Sequence, residues 1–374
     1  MSKKIKVLFF LDRFLLGGIQ SIVYDIINHL DRDKMQIDIL QLDDGVVYPM
    51  EQTMREMGVE VFQLKGIWVR TPLDFPKYFA AVDNFFKEHH DYDVVHMHSG
   101  SKNYYILKSA AKYGIPVRVA HSHNTDFQTK NPVSKMLGDA MKRPLYKYST
   151  HRCGCSKDAC EWLFGRGTVD KGESQVVLNG VDCSIFTYER SIRDSVRDEL
   201  NLEGKFVVGH VGRFENQKNH TFLIDIFAEV VTRKPESVLL LVGAGSLQPM
   251  LEEKVANLGL AGKVIFLGFR SDRERIMQAM DIFVFPSLYE GLGIVLIEAQ
   301  ISGLPLVTST GIPKDLEILP DITYLSLSDG ANKWAEVILS KSDYERQDMT
   351  AKVKSAGFDI TTMIDNLYRM YTQK

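Results

Sequence analysis

Apolar residues fall along this 374-residue chain in short unbroken runs, separated by longer stretches with helical spacing. Ile5–Leu11 predicts a strand, Ile19–Leu30 a helix and Gln36–Leu42 a second strand. Val59–Leu64, Val94–His98, Val117–His121, Arg152–Cys155 and Gln175–Leu178 read as further strands, with helices over Pro76–His89 and Tyr104–Tyr113. The runs are continuous rather than alternating, so each strand is buried on both faces, as in a parallel sheet covered by helices. The pattern restarts after Asn201. Phe206–Val211, Val238–Val242, Val264–Leu267, Ile282–Phe285 and Leu306–Thr308 predict strands, and Thr221–Arg233 a helix. The charged stretch 183–205 suits a linker with a short helix, and the final segment FDITTMIDNLYRMYTQK has helical spacing. Two β-α series joined by a linker predict an α/β protein of two Rossmann-like, doubly wound domains facing each other across a cleft.

Composition changes this picture little. Charged residues are 25% and hydrophobic residues 45%, as in a globular protein. The net charge of −3 gives the molecule no bias toward nucleic acid, so any anionic partner must meet a local patch. The first apolar run is short and interrupted by Lys6, unlike a signal sequence. No run approaches the roughly 20 apolar residues that span a bilayer. Cys153, Cys155, Cys160 and Cys183 lack a tight Cys-x2-Cys pair, so they read as buried reduced thiols rather than zinc ligands. A cytoplasmic location is the expectation.

Candidate chemistry sits at the predicted strand ends. Gly17 and Gly18, in DRFLLGGIQ, lie between the first strand and its helix, where a ligand can approach the backbone and helix amides face an anion. A plain tight turn explains them equally well. In VGRFENQKNH, Arg213 and Lys218 occupy the loop after a strand, with Lys218 at a helix start. A cation there opposes the helix dipole unless an anion such as a diphosphate is shared between them. In YEGLGIVLIEAQISGLP, Glu290 precedes a helix beginning near Gly293, and Glu298 lies on it. Side chains lean toward a helix N-terminus, so both carboxylates can serve one site. The amides of Gly293, Ile294 and Val295 there have no intrahelical partner.

His96, His98, His121 and His123 end two strands in VVHMHSG and RVAHSHNTD. His123 is the expected substrate contact and His96 a packed residue; no acid or thiol stands at ligand spacing, so no metal is expected. Segment 127–152 carries Lys130, Lys135, Lys142, Arg143, Lys147 and Arg152 against Asp139 alone, interleaved with apolar residues. It suits an anionic membrane or a lipid-linked diphosphate acceptor, and equally a solvated helix face.

The ordered set GGIQ, HSHNTD, CSKDACEWLFG, LNGVD, VGRFENQKNH, LVGAGSL, FLGFRSD and EGLGIVLIEAQISGLP resembles glycosyltransferase family 4, of the GT-B fold. Within it the chain is most similar to bacterial exopolysaccharide and capsular-polysaccharide transferases. The resemblance implies a donor domain over 184–357 and an acceptor-side domain over 1–183, to which 358–374 crosses back. It implies that Arg213 and Lys218 hold a nucleotide-sugar diphosphate, with UDP the expected nucleotide. Glu298 would bind the ribose. Glu290 and the Gly293–Val295 amides would approach the transferred hexose or N-acetylhexosamine, and Phe269 and Arg270 would face the base. His123 would touch the sugar or the developing charge. Transfer would retain configuration without a metal or other cofactor. The acceptor would be a glycan or an undecaprenyl-diphosphate-linked glycan, with Lys135, Lys142, Arg143 and Lys147 meeting it at the membrane periphery. Leu292–Ile294 departs from close relatives, which carry a proline near there.

Two rival readings are weaker. LVGAGSLQ follows a strand and opens a helix as in a nicotinamide dehydrogenase, but Gln248 replaces the third glycine and Arg270 stands where an acid is needed. A non-catalytic sugar-nucleotide-binding protein would not need both carboxylates and both cations. The sequence is silent on the oligomeric state.

Overall fold

A computed structural model describes the chain except residues 1–3, 15–17, 44, 47, 68–71, 128–130, 291–292, 314–315, 319–321 and 373–374. It divides into two compact units, Met1–Gly180 with Ile360–Lys374, and Val181–Asp359.

The first unit is built on strands β1 (Ile5–Leu11), β2 (Met35–Leu42), β3 (Val61–Leu64), β4 (Val94–Met97), β5 (Val117–Ser122), β6 (His151–Gly154) and β7 (Gln175–Val176). They form one sheet in the order β3-β2-β1-β4-β5-β6-β7, parallel throughout. Its helices are α1 (Gly18–His29), α2 (Pro49–Glu56), α3 (Phe75–Glu88), α4 (Tyr104–Lys112), α5 (Pro132–Tyr148) and α6 (Lys157–Phe164). The order reverses between β1 and β4, and open α/β sheets bind ligands at that point, beyond the strand C-termini.

The second unit begins with α7 (Cys183–Phe186) and α8 (Arg190–Glu199), which fill the predicted linker. Strands β8 (Phe206–Val211), β9 (Ser237–Val242), β10 (Val264–Gly268), β11 (Ile282–Phe285), β12 (Leu306–Ser309) and β13 (Ile322–Leu325) follow. Helices α9 (His220–Arg233), α10 (Gln248–Asn257), α11 (Arg273–Ala279), α12 (Ile294–Ile301), α13 (Gly330–Ser340) and α14 (Thr350–Ser355) alternate with and follow them. This sheet is also parallel, in the order β10-β9-β8-β11-β12-β13. The last helix, α15 (Ile360–Thr372), belongs to the first unit. It buries Ile360, Met363, Ile364, Leu367, Met370 and Tyr371, the helical spacing read from the sequence.

The central strands are buried at nearly every position, which is why they read as continuous apolar runs. Both crossings between units lie side by side: Val181 bridges Asp359, and its N–H donates to the Phe358 carbonyl at 2.8 Å. All four cysteines are free and buried. Among the described residues no helix is long and apolar enough to cross a membrane.

Candidate functional site

In the second unit, three glycines knit the loops beyond β8, β9 and β10 together. The Gly243 N–H donates to Gly268 at 2.8 Å, and the Gly212 N–H to Val242 at 2.9 Å. A Cβ on Gly243, whose φ is +141°, would stand 2.0 Å from the Gly212 carbonyl oxygen. Only glycine allows that approach. The loop so fixed carries Arg213 into solvent, where among the described residues no acid pairs with it. Lys218 does not open α9 as the sequence suggested. It closes a 3-10 turn, Asn216–Lys218, and Asn219 then adopts the left-handed conformation before the helix.

Among the described residues, Glu290 is the partner of the Lys218 charge. The Lys218 Nζ donates to Glu290 Oε1 at 2.6 Å, and both side chains are largely buried, 14% and 7% exposed. Gln217 Nε2 donates to the second Glu290 oxygen at 3.4 Å and to the Tyr289 carbonyl at 3.0 Å. Gly293, in the left-handed conformation, opens α12 with no side chain capping the helix, so its first amides face outward from Ile294 and Val295. Glu298, on the same helix, is buried against Arg273, whose Nε and Nη2 donate at 2.9–3.3 Å. Each carboxylate thus has its own cation. Arg273 was not singled out by the sequence, where it is one of three arginines between 270 and 275 and lies 25 positions from Glu298; nothing local marks it as the partner of Glu298.

Beyond β10 the Phe269 side chain is exposed. Arg270 turns instead to Asp272 at 2.7 Å and Glu199 at 3.3 Å. Its hydrogen bond to Asp272 raises its pKa further.

The first unit gathers the four histidines at the ends of β4 and β5. His98 Nδ1 lies 3.0 Å from His123 Nε2, and His96 Nε2 lies 3.1 Å from His121 Nδ1. His96 Nδ1 meets the Tyr371 hydroxyl at 2.5 Å. His123, half-buried, borders a cavity of about 20 Å³ together with His98, His121, Ser99 and Asn124. Burial pushes all four imidazoles below their usual range, His123 to about 3. His96, His98 and His121 each bring one ring atom within 4.8 Å of the others, close enough to raise the question of a metal ion.

Gly17 lies outside the described residues, as do Lys130 and Gly291. Gly18 starts α1, and a Cβ there would meet nothing within 4 Å. In α5, Lys135 pairs with Asp126 at 3.2 Å and Lys142 with Asp139 at 2.9 Å. Lys142 also lies over the Trp162 ring, 4.5 Å from its centroid. Arg143, Lys147, Val133 and Met136 are exposed.

Residues 16–185 match Glycosyltransferase Family 4, and residues 205–340 match Glycosyl transferases group 1. EpsF of Bacillus subtilis, named as a glycosyltransferase, is 31% identical over 383 residues, covering 100% of this chain and 98% of its own. The UDP-Gal:alpha-D-GlcNAc-diphosphoundecaprenol alpha-1,3-galactosyltransferase of Escherichia coli is 31% identical over 224 residues, 58% of each chain. Among solved structures, Anabaena Alr3699/HepE in complex with UDP and glucose superposes with a TM-score of 0.79 at 21% identity, covering 97% of this chain and 98% of its own.

Proposed function

The chain belongs to glycosyltransferase family 4, and from that premise we propose that it moves a hexose or N-acetylhexosamine from a UDP-sugar to a glycan or a lipid-linked glycan, with retention of configuration and without a metal ion. One observation carries the donor assignment. Lys218, Arg270 and Arg273 each have a carboxylate partner, whereas Arg213 stands exposed with none among the described residues. It does so at the C-terminal edge of the sheet, where open α/β proteins bind ligands.

A diphosphate there would accept from Arg213 and from the α12 amides, each charge-assisted bond contributing about 1.5–3 kcal/mol. As negative charge grows on the leaving phosphate, Lys218 can share its protons between it and Glu290. Fixed donors of this kind supply the charge stabilisation that a cation would otherwise give. Glu298, held still by Arg273, is suited to accept from two ribose hydroxyls. The galactosyltransferase of Escherichia coli acts on a diphosphoundecaprenol-linked sugar, which supports a lipid-linked acceptor. The exposed Arg143, Lys147, Val133 and Met136 on α5 support contact with a membrane surface.

The test is nucleotide binding in EDTA. UDP and a UDP-sugar should raise the melting temperature of the wild type and fail to do so for Arg213→Ala. Stabilisation by NAD(P) alone, or equal stabilisation of the variant, would remove the donor assignment.

A further inference from the structure

We propose that the second unit has an anion site at the N-terminal edge of its sheet, at the opposite end of the strands from Arg213, and that it takes a phosphate group, free or carried on a sugar. Asp281 marks that edge. It precedes β11, and its N–H donates to the Val207 carbonyl near the start of β8 at 2.8 Å. Beside it lies a cavity of about 430 Å³, lined by Tyr188, Arg190, Arg193, Asp281, Tyr344 and Arg346. Small-molecule sites have volumes of this order. The walls are fixed. The segment bearing Tyr344 and Arg346 packs just past α12, where Gly303, at φ +65°, leaves room for the Gln347 carbonyl; a Cβ there would stand 2.2 Å from that oxygen. The Arg346 guanidinium lies over the Tyr188 ring, 4.8 Å from its centroid.

The charges around the cavity do not balance. Asp281 pairs with both Arg193 and Arg197, and its Oδ2 also accepts from the Val207 N–H at 2.7 Å. Among the described residues no carboxylate pairs with Arg346. Its two Nη atoms donate to the Met277 and Gln278 carbonyls, each at 2.8 Å. Three largely buried guanidiniums thus stand against one carboxylate, two positive charges in excess. Burial, and then the neighbouring Arg193 charge, lowers the Arg346 pKa to about 9.

Capping of α11 accounts for part of this arrangement. Arg193, Arg197 and Arg346 all donate to carbonyls at its end, between Met277 and Met280. A helix C-terminus carries about half a negative charge, so more than one positive charge stays unanswered. Arg190 adds another at the rim, 86% exposed and held loosely by Asp194 at 3.7 Å. Arg190 therefore supplies donors, and Arg193 and Arg346 supply charge. Phosphate answers both, since its oxygens match the guanidinium fork. A metal ion or an ammonium group would meet an excess of its own sign. Glu345 lines the same cavity, but it is exposed and its charge is screened. The volume also leaves room for a sugar beside Tyr188 and Tyr344.

Isothermal titration of inorganic phosphate into the full chain tests the site, with Arg213→Ala as the background so that the donor loop contributes no cation. Phosphate should bind that background saturably, one per chain. Adding Arg346→Met should weaken it by about tenfold or more, and adding Arg190→Gln by about fivefold. Glu345→Gln should strengthen it. Arg190 and Glu345 are both exposed, so their variants report on the site even if Arg346→Met fails to fold. No saturable binding in the Arg213→Ala background would overturn the proposal. So would an affinity unchanged by Arg190→Gln, or one weakened by Glu345→Gln.

Glucose 1-phosphate, titrated in the same background, separates the two sources. Binding tighter than that of inorganic phosphate, and weakened by Arg190→Gln, assigns the ligand as a phosphate carried on a sugar. Binding no tighter than that of inorganic phosphate assigns it as the free ion. UDP binding to the wild type measures the donor reading alone and decides neither outcome.

Discussion

Lys218 and Arg213 stand five positions apart and should fail in opposite ways. Lys218 is bound into the protein by Glu290, with 14% and 7% of the two side chains exposed. Lys218→Met leaves the Glu290 carboxylate buried with only Gln217 beside it. An unpaired buried charge of this kind costs about 3–5 kcal/mol, so the chemical denaturation midpoint should fall markedly. The double variant Lys218→Met with Glu290→Leu should recover most of that stability while remaining inactive. Arg213→Ala, by contrast, should leave the midpoint within about 0.5 kcal/mol of wild type and lose nucleotide binding. Arg273→Leu should behave like Lys218→Met, since Glu298 is buried and rests on that guanidinium. At this scale the sequence was a partial guide. It singled out Arg213, Lys218, Glu290 and Glu298 because rare charges beside glycines stand out against apolar runs. It did not reveal which charges pair, because Lys218 and Glu290 lie 72 positions apart and His96 and Tyr371 lie 275 apart.

Among the elements, glycine content alone does not separate a ligand site from a packing constraint, and the structure does. Gly243→Ala would force a Cβ to 2.0 Å from the Gly212 carbonyl and hold an L-residue at φ +141°. That variant should be destabilised by more than about 2 kcal/mol and should lose nucleotide binding through the displaced Arg213 loop. Gly18→Ala faces open space within 4 Å, so its thermal unfolding should match the wild type. Any loss of transfer in Gly18→Ala would then report a ligand at the α1 start. Strands buried on both faces were legible as apolar runs, β1 and β8 residue for residue. β13 was missed because Ile322–Leu325 is short and half-exposed past its first residue. Gln175–Leu178 shrank to Gln175–Val176, a short exposed edge strand, although the buried Val177 still donates its N–H to the Gly154 carbonyl of β6 at 2.9 Å. The family resemblance alone set the Phe269–Arg270 loop at a base; in the structure Phe269 is exposed and Arg270 pairs with Asp272 and Glu199, neither of which the sequence marked.

Over the whole molecule, the two units differ in how acid should affect them. Burial lowers the pKa of the four clustered histidines of the first unit, His96, His98, His121 and His123, and in the second unit it pushes His210 to about 4 and His220 to about 2. In each case the folded pKa lies below the unfolded value, so the unfolded chain takes up protons first as pH falls. Stability is therefore complete above about pH 6.5 and is lost below it, by about 1.4 kcal/mol per group and pH unit. At pH 5.5 the first unit, with at least four such groups against two, should have lost more stability than the second. Calorimetry at pH 7.5 and pH 5.5 should show the first unit melting earlier and separately at the lower pH. A single transition that does not move between those two pH values would contradict this.

The chain leaves the first unit at Gly180 and re-enters it at Ile360, and this has a consequence during synthesis. A ribosome adding about 5–20 residues per second must run for roughly 10–40 s after Gly180 before α15 emerges. The second unit is complete before then and can fold on its own segment. Throughout that interval the nascent first unit lacks Tyr371 and the apolar face of α15, with His96 still waiting for its partner. A truncation within α15 therefore damages the unit whose sheet is made before the second unit, and chaperone capture should concentrate on that unit.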